Sequence, residues 1–242
     1  MSEAPGERPA PAQVGALARI PGAFLSPRET FDSIARRPTW LAPLLLWIAV
    51  SLAVAMLLAP RMDFERMTRE RIEKSGRTLP EDQIQSIVER QKRFGATFGY
   101  VGAVLGPLLL SLIVAAVLWG AFRAFGWDTS FHQALGVTTH AFLPGVISAV
   151  LLLPILASRD KVDPQAMGDM VRSNLGFLVE RDSSKLLHSL LQSIDLFSFW
   201  SLLLFVIGFA AAAKIPRKSA AAVIVTLWLL YVSGKAGLAA LF

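Results

Sequence analysis

The sequence predicts an all-α integral membrane protein: a bundle of five transmembrane helices with amphipathic interfacial helices. Three observations carry that prediction. Five stretches, 40–58, 96–122, 131–157, 196–213 and 220–242, are free or nearly free of charge. Each is about long enough to cross a hydrocarbon core of roughly 30 Å at a helical rise of 1.5 Å per residue. The stretches are also apolar all round, where a soluble helix or strand would show an apolar stripe at period 3.6 or 2. Finally, 54% of residues are hydrophobic and only 17% charged, against about 25% charged in a typical soluble domain. The chain reads as one membrane domain over 15–242, preceded by a tail at 1–14 rich in Pro, Glu and Gly that cannot bury an apolar face.

Composition narrows function further. With no cysteine in the chain, disulfides, thiolate nucleophiles and thiolate metal sites are excluded. The net charge of +6 is modest, and the basic residues sit between apolar blocks. That distribution suits anionic headgroups, and no nucleic-acid partner is predicted. No apolar core of signal-peptide length precedes the first span, which is expected to serve as an uncleaved insertion signal.

The elements follow in order. Ser26-Pro27-Arg28-Glu29 predicts a capped helix start, with Ser26 and Glu29 at capping-box spacing and Pro27 at the first helical position. Phe31 and Ile34 share one face, and Arg28, Arg36 and Arg37 are placed to reach headgroups. Pro38 ends this interfacial helix just before Trp40, an interface-favouring residue at the start of the first span.

Residues 61–93 carry nine Lys/Arg and seven Asp/Glu. Two amphipathic helices are predicted there, broken at Ser75-Gly76, the second starting near Pro80-Glu81. Solvated i,i+4 pairing explains the alternating charges, and a partner-binding hairpin is the sharper alternative.

The second span holds Gly99, Gly102 and Gly106, a face on which another helix could approach closely, within the monomer or in a homo-oligomer. Pro107 should bend it. The third span contains Pro144 and Pro154 and is expected to be kinked, with Thr138, Thr139 and His140 just before the first proline.

In 158–193, Asp163-Pro164 is a helix start. Leu186, Leu187, Leu190, Leu191 and Ile194 form a stripe that leads into the fourth span. The connection 214–219 is so short that the fourth and fifth spans must form an antiparallel hairpin.

No catalytic constellation is present: there is no P-loop, GxSxG, HExxH or dinucleotide fingerprint. No cofactor and no metal site are predicted, because His132, His140 and His188 lack partners at ligand spacing. Asp195 and Lys235 are the intramembrane charges of interest. Mirrored about the turn, they fall about one helical turn, or about 4.5 Å, apart in depth. They are expected to pair, or to reach the same interface. A polar path near His140, Asp195 and Lys235 would instead suggest a small transporter or channel subunit. The orientation signals conflict. The overall Lys/Arg count favours an outside N-terminus, whereas Arg36-Arg37 and the basic turn 214–218, close to span ends, favour an inside one.

Three segments together carry a family resemblance. Phe24-Leu25-Ser26-Pro27-Arg28-Glu29-Thr30-Phe31 runs into Pro38-Thr39-Trp40-Leu41-Ala42-Pro43-Leu44. His140-Ala141-Phe142-Leu143-Pro144 follows, then Ile194-Asp195-Leu196-Phe197-Ser198-Phe199-Trp200, Gly208 and a basic turn. Over roughly 20–240 the chain resembles the bacterial branch of the Yip family, whose eukaryotic members are Rab-interacting membrane proteins. The resemblance implies five spans, a cytoplasmic N-terminus in a bacterial inner membrane, and a non-enzymatic role in organising membrane or binding partner proteins. The longer acidic-aromatic N-terminal region of those members is absent, so Rab binding does not carry over.

Overall fold

Residues 15–40 fold into a helical hairpin packed lengthwise within the bundle. In the computed structural model, which describes residues 15–163, 167–179 and 184–241, α1 spans Arg19–Leu25 and α2 spans Pro27–Arg36. The tail at 1–14, Pro164 of the helix start expected at Asp163-Pro164 and the last residue of the expected fifth span fall outside that description. Ser26 stands at the N-cap of α2 and Pro27 at its first position, but the Ser26 side chain makes no capping bond, so the expected capping box is not formed.

Among the described residues, five helices are long and apolar enough to cross a membrane. The first is α3, Leu41–Leu58, extended by a short 3-10 turn to Arg61. Then α4, Phe64–Lys74, begins at an Asp63 N-cap and ends at Gly76, whose positive φ of 67° needs glycine.

The next helix differs from its expected form. The amphipathic helix starting at Glu81 and the second span are one continuous helix, α5, Glu81–Ala124, of 44 residues with Pro107 inside. At 1.5 Å per residue it is about 66 Å long, twice the hydrocarbon thickness. Its N-terminal part therefore stands out of the membrane as a stalk. An apolar seam of Phe64, Ile84 and Val88 joins α4 to this stalk. Arg66–Glu70, Arg69–Glu65 and Arg69–Glu81 ion pairs cover its wet side. No local signal separates stalk from span, because charged and apolar segments alike favour helix when no Gly-Pro break intervenes.

The third span is divided. α6, Phe131–Ala141, stops at Phe142, and α7, Leu143–Ala157, resumes with Pro144 in its first turn. A capping box of Ser130 and Gln133 starts α6, a signature legible in Ser130-Phe131-His132-Gln133. After α8, Met167–Met170, and α9, Lys185–Ser193, come α10, Leu196–Ala213, and α11, Arg217–Leu241. Lys214, with φ 54°, makes the tight turn between the last two.

The main core joins α2, α5, α6, α10 and α11 around Phe31, Phe122, Val137, Leu204 and Phe209. On the stalk side, the segment after α7 folds back on α3: Val162 N–H donates to Arg61 O at 2.8 Å, and Val162 is buried against Leu152 and Leu156. Lys161 donates to Asp63 Oδ2 at 2.8 Å. That bond, with the Arg66 backbone N–H, holds the Asp63 carboxyl below its usual range, and Asp63 raises the Lys161 ammonium in turn. A lowered carboxyl stabilises the fold above its unfolded pKa, and the contribution is lost as pH falls through the folded value. Since Lys161 is well exposed, solvent screens the clasp and its contribution is small. Hydrogen exchange in α4, corrected for its intrinsic rate, should be flat from neutral pH down to the carboxylate range and rise below it.

Candidate functional site

Two clusters of polar groups lie at opposite ends of the bundle. The first is the base of the α1–α2 hairpin. Arg19, only 4% exposed, donates to Arg37 O at 2.7 Å, Thr39 Oγ1 at 2.7 Å and Ser33 Oγ at 2.9 Å. It thereby ties the start of α1 to the end of α2 and the entry to α3. Further along the hairpin, Gly22 lies against Thr30, where a Cβ would meet Oγ1 at 2.6 Å. Behind them Thr138, Thr139 and His140 are buried. His140 Nδ1 is 2.8 Å from Gly136 O, and the ring lies within electrostatic reach of Arg19.

The second place is the opposite end of α10. Ser198 N–H donates to Asp195 Oδ2 at 2.8 Å, so the carboxylate caps α10. The Lys235 ammonium donates to Ser193 Oγ at 3.4 Å. The sequence brought Asp195 and Lys235 together as a pair. The structure brings them to one end of the hairpin without an ion pair, because the carboxylate is turned to the orphan amides of its own helix. Asp195→Ala should cost about 1 kcal/mol as a lost cap. A double-mutant cycle with Lys235→Met, read by thermal unfolding in detergent, should show additivity within about 0.5 kcal/mol.

Next to this end, Asn174 anchors the loop before α9. It donates to Gly168 O at 2.8 Å and accepts from Gly176 N–H at 2.8 Å. His188 Nε2 lies 3.4 Å from Asp169 Oδ2, and Gln192 donates to Asp169 at 2.9 Å. His140 is therefore not brought to Asp195 and Lys235.

Gly99, Gly102 and Gly106 approach no other helix: a Cβ at any of them would meet nothing within 4 Å. Close approach happens instead at Gly95, where a Cβ would lie 2.8 Å from the Phe64 ring, and at Gly208, where it would collide with Val137 Cγ1 and lie 2.8 Å from Phe31 Cδ1. Pro144 stands at the Phe142 break, and Pro154 lies inside α7.

How far the hairpin reaches follows from its contacts. Phe31 meets Gly208, five residues or about 8 Å from the Ala213 end of α10. Phe24 packs edge-on against Trp200 at 5.1 Å, thirteen residues or about 20 Å from that end. Ala23 is buried beside Leu143, Val146, Trp47 and Val50. A helical pair that enters and leaves on one side, closed by Arg19, thus completes the five-span bundle. The Yip1 domain family model matches residues 22–236, which takes in this hairpin from Gly22, the first four spans and most of the fifth.

The chain belongs to the Yip1 family. Membrane protein YknW of Bacillus subtilis (strain 168) is 25% identical over 198 residues, 82% of this chain and 80% of that protein. No solved structure matches. This Yip1-family chain is a polytopic membrane protein. Sequence reasoning passed over Arg19, whose signal was a lone charge inside an apolar run. It also passed over Asn174, whose role depends on contacts that no local pattern encodes.

Proposed function

We propose that this Yip1-family protein is non-enzymatic and works by binding another membrane protein through the outer face of its α1–α2 hairpin. We place it in a bacterial inner membrane with its N-terminus in the cytoplasm, the side from which the hairpin would then enter. One observation carries the reading. Arg28, Glu29 and Asp32 are exposed on α2, while Phe31 on the same helix packs on Gly208 within the span α10. A lipid-facing charge near the bilayer centre costs roughly 3 kcal/mol even on the lenient insertion scale. Three of them on one short helix call for a polar cover, and a partner's span with complementary charge supplies it.

The transporter alternative needs one polar path through His140, Asp195 and Lys235. It draws no support from a His140 sealed in the core against Gly136, with the other two turned to Ser198 and Ser193.

A photo-crosslinking residue at Glu29 or Asp32, in the full chain expressed in cells, tests the proposal. A discrete protein adduct is expected at both positions and none at Leu230, an exposed position on α11. Adducts to lipid alone, or quenching by water, at both positions would overturn partner binding, and the latter would favour a wet crevice and transport.

A further inference from the structure

An apolar groove on the membrane-facing side of the bundle leads into a charged cleft at its stalk end. The groove, of about 280 Å³, is walled by Ser51 and Ala55 of α3, Gly99 and Ala103 of α5, and Ala149 and Leu152 of α7. Water occupies about 30 Å³ in the liquid, so the space would take several methylene-sized groups in a row. It exists because α5 and α7 contribute small side chains where they flank α3, and a Cβ at Gly99 would project into open space.

The cleft, of about 220 Å³, lies between α4 and residues 161–163. The two depressions meet at consecutive residues, Met62 lining the groove and Asp63 the cleft. Val162, on the cleft wall, packs on Leu152 of the groove.

Charge decides what fits the wide end. Arg66, Arg71, Lys74 and Lys161 line the cleft with Asp63, Glu70 and Asp163. Arg66 is held by Glu70 at 2.6 Å and Lys161 by Asp63 at 2.8 Å. Among the described residues, no side-chain hydrogen bond or ion pair engages Arg71 or Lys74, which stand three apart on α4 and so on one face. Two cations without a side-chain partner, in a cleft whose lining begins at Asp63, next to Met62 of the apolar groove, match a phosphate linked to an acyl chain. A soluble anion would have no use for the groove, and a hydrocarbon none for the cations.

We infer that this is a binding site for one anionic glycerophospholipid, its phosphate held by Arg71 and Lys74 and an acyl chain laid along Gly99 and Ala103. Binding of this kind joins the stalk to the bundle through the lipid, independently of the hairpin's partner.

Native mass spectrometry of the full chain, purified in detergent and supplied with phosphatidylglycerol, tests it. Wild-type protein should retain one lipid. Gly99→Leu, which fills the groove without touching the core, should lower occupancy at least fivefold. Arg71→Glu/Lys74→Glu, on the wet face of α4, should do the same. Gly102→Leu, which also meets open space but does not line the groove, should leave occupancy unchanged. Equal occupancy in all four proteins, or none in the wild type, would overturn the site. So would loss in the charge variant with full retention in Gly99→Leu, since a free phosphate ester would then suffice.

Discussion

Replacing Gly208 with leucine is expected to drive α2 out of the bundle. At this point α10 presents bare backbone to the Phe31 ring and to Val137 of α6, and even one added carbon would overlap both. Phe31 and Val137 are fully buried, so neither can swing aside without opening the main core. Overpacking by a few methylenes costs typically 1–3 kcal/mol where the surroundings can adjust. Here one neighbour is a ten-residue helix, its far end tied by the Arg19 bonds and by Gln133 donating to Ala35 O at 2.7 Å, whereas α10 is a whole span, so the cheaper response is ejection of the hairpin. The absence of native cysteine makes the measurement simple. A single cysteine at Ile34, buried in the native bundle, should resist a membrane-impermeant thiol reagent in the Gly208 background and react readily in Gly208→Leu. Resistance in both, with unchanged thermal stability, would show that the α2–α10 packing is not tight. Gly208→Ala should give the same result more weakly.

The spans were legible because a bilayer imposes a rule that sequence obeys locally: roughly 20 apolar residues for each crossing. The tight turn before α11 and the break near Pro144 were legible for a similar reason, since both follow from chain length or from proline geometry. What was not legible depended on which helix meets which. The glycines at 99, 102 and 106 have the spacing of a packing face, yet close contacts between helices are made at glycines outside that pattern, Gly208 and Gly95 among them. Spacing says what a face permits, whereas the partner's shape decides where permission is used. The α1–α2 hairpin was readable as an amphipathic helix, with Phe31 and Ile34 on one face. Nothing in its periodicity distinguishes an apolar face laid on lipid from one laid on α10. Asp195 and Lys235 were matched by depth, but a carboxylate at a helix start has nearer donors in its own backbone than any lysine across a hairpin.

Arg19→Met is expected to open the hairpin at its base while leaving α2 seated, the reverse of the Gly208 result. Arg19 makes three bonds from two guanidinium nitrogens, to a carbonyl and two hydroxyls contributed by residues 33, 37 and 39. Bonds to a charged donor are each worth about 1.5–3 kcal/mol, and losing the donor leaves its acceptors short of a partner in a partly buried site. A loss of order 3 kcal/mol or more is therefore expected, concentrated on α1. Since α2 keeps Phe31 and Ile34 in the main core, a cysteine at Ile34 should stay protected. A cysteine at Ala23, fully buried in the native hairpin, should become reactive. Arg19→Lys should rescue little, because an ammonium on a flexible stem cannot present the planar fork that spans three acceptors at once. Full protection of the Ala23 probe in Arg19→Lys would mean that charge, rather than fork geometry, closes the hairpin. Protection in Arg19→Met would mean that α1 is held by its apolar contacts with Leu143 and Val146 alone.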